Sequence, residues 1–259
     1  MPSTFWVLAI AGALQAPTAP PPQPATAQAW PDDRPITRVI QNLGNDLKAV
    51  PSVESALIMA TGSVAALTLH QVDDDVEAWA EKSESSASRL GQVLGDAWMH
   101  TALSLSAYAV GRINKDPKLT HVASDLVRAQ VLNAVFTVPL KRIVDRERPK
   151  GGGHSFPSGH TSATFAAAAV LQEHGGWKVG APVYGIATFV AWARVRDKSH
   201  WLSDAAFGAA IGAMSGRTVV RGHKTRTWAM VPVKTPGGGA VFLVRTSPPV
   251  RTFGSSGVR

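Results

Sequence analysis

Three clusters of residues with reactive or charged side chains lie between Lys141 and Asp204. The first reads K-R-I-V-D-R-E-R-P, and its ends, Lys141 and Arg148, are seven residues apart. On a helix this spacing places both cations on one face, and we expect Pro149 to end that helix. Arg can grip two oxygens of a phosphate at once, so the pair predicts a phosphate site. Basic residues at a helix end can also simply offset the helix dipole.

The second cluster reads S-F-P-S-G-H-T-S and is followed by an alanine-rich run. Ser158 is a favourable N-cap residue, and Gly159 would let an anion approach the backbone closely. The free N–H groups of a helix start bind phosphate oxygens well. His160 would then lie in the first turn, beside any bound anion. By itself this pattern could also be an ordinary capped helix start.

The third cluster runs from Arg194 to Asp204 and contains His200. His200 and Asp204 are four residues apart, so on a helix the carboxylate could accept the imidazole Nδ1–H. That contact would leave Nε2 unprotonated, as a nucleophile or a base requires. A His/Asp pair at this spacing can also be purely structural. Arg196 lies close to Arg194 in the sequence and could take its place in the role assigned to Arg194 below.

The three clusters together resemble the motifs of the type 2 phosphatidic acid phosphatase and vanadium haloperoxidase superfamily. The resemblance rests on Lys-x6-Arg-Pro, then Pro-Ser-Gly-His, then Arg-x5-His-x3-Asp, in this order, from Lys141 to Asp204. One departure is visible, because the family's third motif usually begins Ser-Arg and this chain has Ala193 before Arg194. The lost hydroxyl bears on the fine positioning of the arginine.

The resemblance implies a metal-independent phosphatase without a cofactor. It implies that His200 attacks phosphorus and forms a phosphohistidine, that Asp204 orients His200, and that His160 protonates the leaving group and later activates water. The residues that it implies hold the phosphoryl oxygens are Lys141, Arg148, Ser158, Gly159 and Arg194. The expected substrates are lipid phosphates, of the phosphatidic acid or undecaprenyl pyrophosphate type.

Three other functions remain open. A soluble acid phosphatase of broad specificity would use the same site. A vanadium-dependent haloperoxidase would bind vanadate with the same residues, although such members resemble longer chains. A non-catalytic protein that binds membranes or nucleic acid would leave His160, His200 and Asp204 unexplained, and we expect no nucleic-acid partner.

The net charge and the cysteine content limit which partners and which metal sites the chain can have. The chain has 259 residues, no cysteine, and a formal net charge of +8. The excess is confined to the residues after Asp204, where eight Lys or Arg residues occur and no acidic residue. Such a basic tail is suited to an anionic membrane surface, or it is merely solvated. The absence of cysteine excludes disulfides and thiolate metal sites.

An apolar run from Phe5 to Leu14 precedes a stretch rich in Pro and Ala that contains small-x-small cleavage sites. This arrangement predicts a secretory signal, although no Lys or Arg precedes the run. We therefore expect an exported protein that is periplasmic or membrane-associated.

Five further apolar stretches are rich in small residues and fall short of the roughly 20 strongly apolar residues of a spanning helix. We expect them to be buried helices of a soluble bundle, with a membrane-embedded bundle as the alternative, because small residues also pack transmembrane helices. The stretches are Ser55–Val72, Ala97–Gly111, Ala129–Leu140, Val179–Ala193 and Ala205–Gly216.

The predicted fold is an all-α helical bundle with a possible short C-terminal β-hairpin. We expect a long helix from Pro117 towards Lys141, a polar loop at Ser83–Ser88 and a helix stop at Gly175-Gly176. The hairpin would pair Thr227–Val233 with Ala240–Val244. The predicted regions are a leader (1–29), an N-terminal helical region (30–85), a phosphatase core (86–220) and a basic tail (221–259).

Overall fold

The computed structural model describes residues 35–80 and 86–221, together with the backbone of two later strands. The predicted leader and most of the basic tail lie outside these described residues. The helices are α1 (Ile36–Ala49), α2 (Val53–His70), α3 (Asp73–Trp79), α4 (Ser86–Gly95), α5 (Ala97–Ile113), α6 (Pro117–Val144), α7 (Gly159–Arg196) and α8 (Leu202–Arg221). The described part of the chain is therefore the predicted helical bundle.

A short antiparallel hairpin follows α8, as predicted. Strand β1 (Trp228–Lys234) pairs with β2 (Ala240–Thr246), and Val231 lies opposite Leu243. The side chains of both strands lie outside the described residues.

Side-chain caps explain where three of the helices begin. Ser52 accepts a hydrogen bond from the Ser55 N–H at 3.1 Å, and Asp96 accepts one from the Trp98 N–H at 2.7 Å. Asp116 accepts from the Leu119 N–H at 3.0 Å. Each cap satisfies a donor that the first helical turn would otherwise leave unpaired. The predicted start of the long helix at Pro117 is thus confirmed.

Two predicted boundaries differ in detail. The predicted helix stop is a kink inside α7, where Gly176 has a φ of 66° and the helix then resumes. Glycine adopts this left-handed conformation without a Cβ clash. The polar loop predicted to reach Ser88 ends earlier, because α4 already begins at Ser86.

Three glycines one turn apart on α8 face the backbone of α7. A Cβ atom on any of them would lie within 2.6 Å of a carbonyl oxygen of α7, closer than real atoms approach. The two backbones are therefore in direct contact along two turns, and small residues are required there. The pairs are Gly208 with Ser158, Gly212 with Ser162, and Gly216 with Ala166.

The interior is built mostly from α6, α7 and α8. Ala129, Leu132, Ala166, Val170 and Val219 are fully buried and form one apolar cluster. Ala129 and Leu132 belong to the predicted stretch on α6, whereas the other three residues lie outside the stretches predicted for α7 and α8. Removal of their apolar surface from water is the main force that holds the three helices together.

The outward faces of α2 and α5 contradict the expectation of burial. Leu57 and Leu67 on α2 are 63% and 69% exposed, and Trp98 and Ile113 on α5 are 84% and 79% exposed. Only 17% of the apolar window Val53–His70 is buried. Among the described residues, α2 is the helix long and apolar enough to cross a membrane. The two stretches were expected inside a soluble bundle because composition does not show which way a large side chain points.

The close contact of α2 with α8 gives a test of this packing. A Cβ on Gly62 would lie 2.2 Å from the Cβ of Ala210, whereas a Cβ on Gly44 would meet nothing within 4 Å. We expect Gly62→Ala to destabilise the fold by about 1–3 kcal/mol through overpacking. Gly44→Ala, also in a helix, should be neutral or slightly stabilising. Thermal unfolding of both variants in detergent measures the difference, and equal melting temperatures would contradict the contact.

Candidate active site

Two loops carry most of the candidate residues. Residues 145–158 follow α6, and residues 197–201 join α7 to α8. The Lys150 N–H donates to the Lys198 carbonyl at 3.1 Å and links the loops. Lys141 lies in the last turn of α6, as predicted. Arg148 was predicted on the same helix but lies in the loop that follows it. Asp145 adopts a left-handed conformation, with φ of 42°, and ends the helix earlier.

The start of α7 agrees with the prediction. Ser158 is the N-cap, and Gly159 and His160 open the helix. The Ser158 hydroxyl lies 2.9 Å from that of Thr161 and 3.5 Å from its N–H. A Cβ on Gly159 would lie 3.4 Å from Cε of Lys141, so the lysine side chain reaches the start of α7. The first turn and Lys141 therefore face a common space.

The predicted direct hydrogen bond between His200 and Asp204 is wrong. His200 lies in the loop before α8, and its Nδ1 is 3.9 Å from Oδ2 of Asp204. The Ser155 hydroxyl lies between them. It donates to Asp204 Oδ2 at 2.5 Å, and its oxygen is 3.5 Å from His200 Nδ1. The hydroxyl can thus accept the imidazole Nδ1–H while it donates to the carboxylate.

Two residues that sequence reasoning missed support Asp204. Arg146 donates to Asp204 Oδ1 at 2.8 Å and to Asp73 Oδ2 at 2.9 Å. Asp73, the first residue of α3, also accepts from the Ser203 N–H at 3.0 Å and from its hydroxyl at 2.5 Å. The guanidinium of Arg146 lies 4.9 Å from the centre of the Trp201 ring. Arg146 therefore ties α3 to the start of α8.

The signals for these two residues were weak. Asp73 begins a run of three aspartates, which is more typical of a solvated helix start than of a buried ion pair. Arg146 lies two residues before Arg148, inside the first motif, but nothing in the sequence pairs it with Asp73.

Lys141, Arg148 and Arg194 form a cationic group at the centre of the site. Burial, and then the charge of Arg148, lowers the pKa of Lys141 to about 8. Arg194 is 5% exposed, and its NH1 donates to Asp197 at 2.8 Å. Nε of Arg148 and Nε of Arg194 are buried without a hydrogen-bond partner. Buried like charges with unsatisfied donors indicate an anion site. Arg196, the alternative to Arg194, instead lies 5.1 Å from the Trp192 ring.

Both histidines are neutral near pH 7. Burial, followed by the charge of Arg194, lowers the pKa of His160 to about 3. Burial, together with the charges of Lys141 and Arg148, lowers the pKa of His200 to about 4, although the neighbouring Asp204 acts in the opposite direction. A bound phosphate would offset these cations and so raise both pKa values. The arrangement can hold a phosphoryl group between the imidazoles of His200 and His160.

Comparison with known proteins agrees with this geometry. The family model of the PAP2 superfamily matches residues 145–228. This part of the chain is therefore similar to the PAP2 superfamily. The match includes every candidate residue except Lys141, which precedes it by four positions, and it excludes Asp73.

A curated protein with a similar sequence is the lipid A 1-phosphatase of Porphyromonas gingivalis. It is 39% identical over 75 residues, which are 27% of this chain and 17% of the relative. The matched segment thus spans about a sixth of the relative's length.

Two solved structures also show similarity. Aquifex aeolicus LpxE is 23% identical, with a TM-score of 0.44 over 52% of this chain and 83% of that one. A transmembrane PAP2-type phosphatidylglycerolphosphate phosphatase from Bacillus subtilis is 18% identical, with a TM-score of 0.34 over 71% and 93%.

The low pKa of Lys141 predicts how the candidate site binds an anion at different pH values. Lys141 is protonated below about pH 8 and loses its charge above it. Affinity for inorganic phosphate, a dianion in this range, should therefore fall from pH 8 to pH 9.5, by up to about tenfold per pH unit. Lys141→Arg keeps its charge at these pH values, so its affinity should change much less. Calorimetric titration with phosphate measures both profiles. Parallel profiles would show that Lys141 does not contribute its charge to the site.

Proposed function

We propose that this protein is a metal-independent phosphatase that hydrolyses phosphomonoesters or pyrophosphates of lipids through a phosphohistidine. One observation carries the proposal: the buried imidazole of His200 lies beside the cationic group of Lys141, Arg148 and Arg194. The curated relative is named as a lipid A 1-phosphatase, which favours this branch over the haloperoxidases.

In the proposed first step, Nε2 of His200 attacks phosphorus and the bond to the leaving oxygen breaks. The Ser155 hydroxyl and Asp204 hold Nδ1–H of His200, which leaves the Nε2 lone pair free. Fixed cations and the N–H groups of the α7 start stabilise the charge that develops on the phosphoryl oxygens. His160 gives its proton to the leaving oxygen, after the bound phosphate has raised its pKa.

In the second step, neutral His160 takes a proton from water, and the resulting hydroxide attacks the phosphohistidine. The P–N bond breaks, phosphate leaves, and His200 regains its lone pair. Division of the hydrolysis into two steps replaces one difficult displacement by two easier ones. The three cationic side chains neutralise the phosphoryl oxygens, a role that Mg²⁺ has in many phosphoryl-transfer enzymes.

The apolar surface favours a lipid substrate over a soluble ester. We propose that α2 lies in a bilayer, since its exposed Leu57, Val64 and Leu67 would otherwise face water. An apolar cleft of about 550 Å³ lies between α2, α6 and α8, and its lining includes Met59, Phe136 and Leu140. Leu140 directly precedes Lys141, so an acyl chain in this cleft would lie near the phosphate site.

Export, a periplasmic location and membrane contact through the basic tail are part of this proposal. They depend on residues 1–29 and 221–259, which lie almost entirely outside the described residues. The boundaries of the phosphatase core at 86–220 are likewise a prediction.

The test is to trap and locate the phosphoenzyme. Wild-type protein in detergent is mixed with labelled substrate, quenched in alkaline denaturant, which preserves a phosphohistidine, and examined for base-stable label by mass spectrometry. We expect the label on His200 and none in His200→Ala. His160→Ala should accumulate label, and it should retain relatively more activity on p-nitrophenyl phosphate, whose leaving group needs no acid. His223→Ala is the control for a lost histidine.

Label on His160, or on any residue of His200→Ala, would overturn the assignment of the nucleophile. Comparison of phosphatidic acid with p-nitrophenyl phosphate separates a lipid phosphatase from a broad acid phosphatase. A higher kcat/KM on the soluble ester would overturn the lipid substrate.

Arg146 should affect turnover more than substrate binding, because it contacts Asp204 and does not belong to the cationic group. We expect Arg146→Ala to lower kcat roughly tenfold to hundredfold through misplacement of Asp204, Ser155 and His200, with little change in KM. Arg146→Lys should recover part of the loss. Arg142→Ala is the control, since this exposed arginine lies four residues earlier, in the last turn of α6. Steady-state kinetics with a thermal melt of each variant separate this effect from unfolding, and an unchanged kcat in folded Arg146→Ala would contradict it.

A further inference from the structure

A second cluster of potential ligands lies on α6 and α7. His121 and Asp125 are one helical turn apart on α6, and His174 lies on α7 just before the kink at Gly176. Nε2 of His174 is 2.9 Å from Oδ2 of Asp125, and Nε2 of His121 is 3.7 Å from the same oxygen. One ligand atom from each residue lies within 4.8 Å of the other two.

The carboxylate of the cluster is buried and oriented, and the two histidines are partly buried. The side chains of His121, Asp125 and His174 are 14%, 2% and 10% exposed. Arg128, one turn further along α6, pairs with Oδ1 of Asp125 and with Asp46 on α1. Oδ1 is therefore held by a guanidinium, and Oδ2 faces both imidazoles. Such an outer partner fixes the direction of a metal-ligating carboxylate in many metal sites.

We propose that His121, Asp125 and His174 bind a divalent transition metal ion of the Zn²⁺ class. Two imidazole nitrogens and one carboxylate oxygen are a common donor set for zinc, with water in the fourth position. In a tetrahedral site with bonds of about 2.0–2.1 Å, neighbouring ligand atoms lie about 3.3 Å apart. The observed separations lie on both sides of this value, so small rotations of the side chains close the site.

The metal would act on the fold, because the cluster lies far from the phosphate site. His121 precedes Lys141 by twenty residues on α6, which corresponds to about 30 Å along the helix axis. An ion at this point would join α6 to the first half of α7 where the kink interrupts the helix. This inference does not depend on the proposed function, since a protein without phosphatase activity could hold the same ion.

The experiment uses the full chain purified in detergent without a histidine tag. Protein is freed of metal with a chelator, titrated with Zn²⁺ by calorimetry, and melted with and without Zn²⁺. We expect one ion per chain and a melting temperature that rises by several degrees, because the ion binds the folded state. His121→Ala and His174→Ala should each weaken Zn²⁺ binding at least tenfold. His154→Ala, which removes an exposed histidine of the loop after α6, should bind normally.

Co²⁺ added to the metal-free wild-type protein gives a second readout that needs no variant. Visible absorption typical of a tetrahedral Co²⁺ site with nitrogen and oxygen ligands would support the proposal even if the variants do not fold. An absence of Zn²⁺ binding to the wild type would overturn the proposal. Zn²⁺ binding by both cluster variants with the affinity of the wild type would overturn it as well. Phosphatase activity of the metal-free and Zn²⁺-loaded protein, measured on the same samples, shows separately whether the proposed catalytic site works.

Discussion

The carboxylate of Asp204 holds the candidate active site together. Its Oδ2 accepts from the Ser155 hydroxyl and, at 3.0 Å, from the Trp201 N–H, while its Oδ1 accepts from Arg146. Its backbone carbonyl accepts from the Ser158 N–H at 3.1 Å. Burial by itself would raise the pKa of Asp204, but the donors around it hold the pKa below its usual value. An ionised carboxylate at this depth is stable only because each of its oxygens is paired. The first, second and third motifs therefore meet at one charge.

The sequence was most informative where neighbouring residues determine the structure. The N-cap at Ser158 and the start of α6 at Pro117 follow from local backbone chemistry, and both were predicted correctly. Arg148 was misplaced because no rule of composition predicts that Asp145 ends the helix in a left-handed conformation. The pairing of Asp73 with Arg146 spans seventy-three positions, and no local pattern specifies such a contact.

The burial of the apolar stretches was misjudged for a related reason. In α7 and α8 the small residues face inward, where Gly212 and Gly216 allow the backbones to touch. In α2 and α5 the large residues Leu67 and Trp98 face outward. The mean hydropathy of a stretch averages its small residues with its large apolar ones. It therefore understates the apolarity of a helix whose outer face is strongly apolar. Small residues at helix contacts with large apolar residues outside are typical of packing in lipid.

The dependence of the site on α3 limits how the domain can be moved between proteins. The span that matches the family model starts at residue 145, after Lys141 and well after Asp73. A transplanted fragment with these boundaries would carry both histidines, yet it would leave Arg146 without its second carboxylate and the proposed phosphate site without its lysine. Exchange of substrate specificity between such enzymes would therefore require a graft that begins before Asp73, so that the charges around Asp204 travel as one unit.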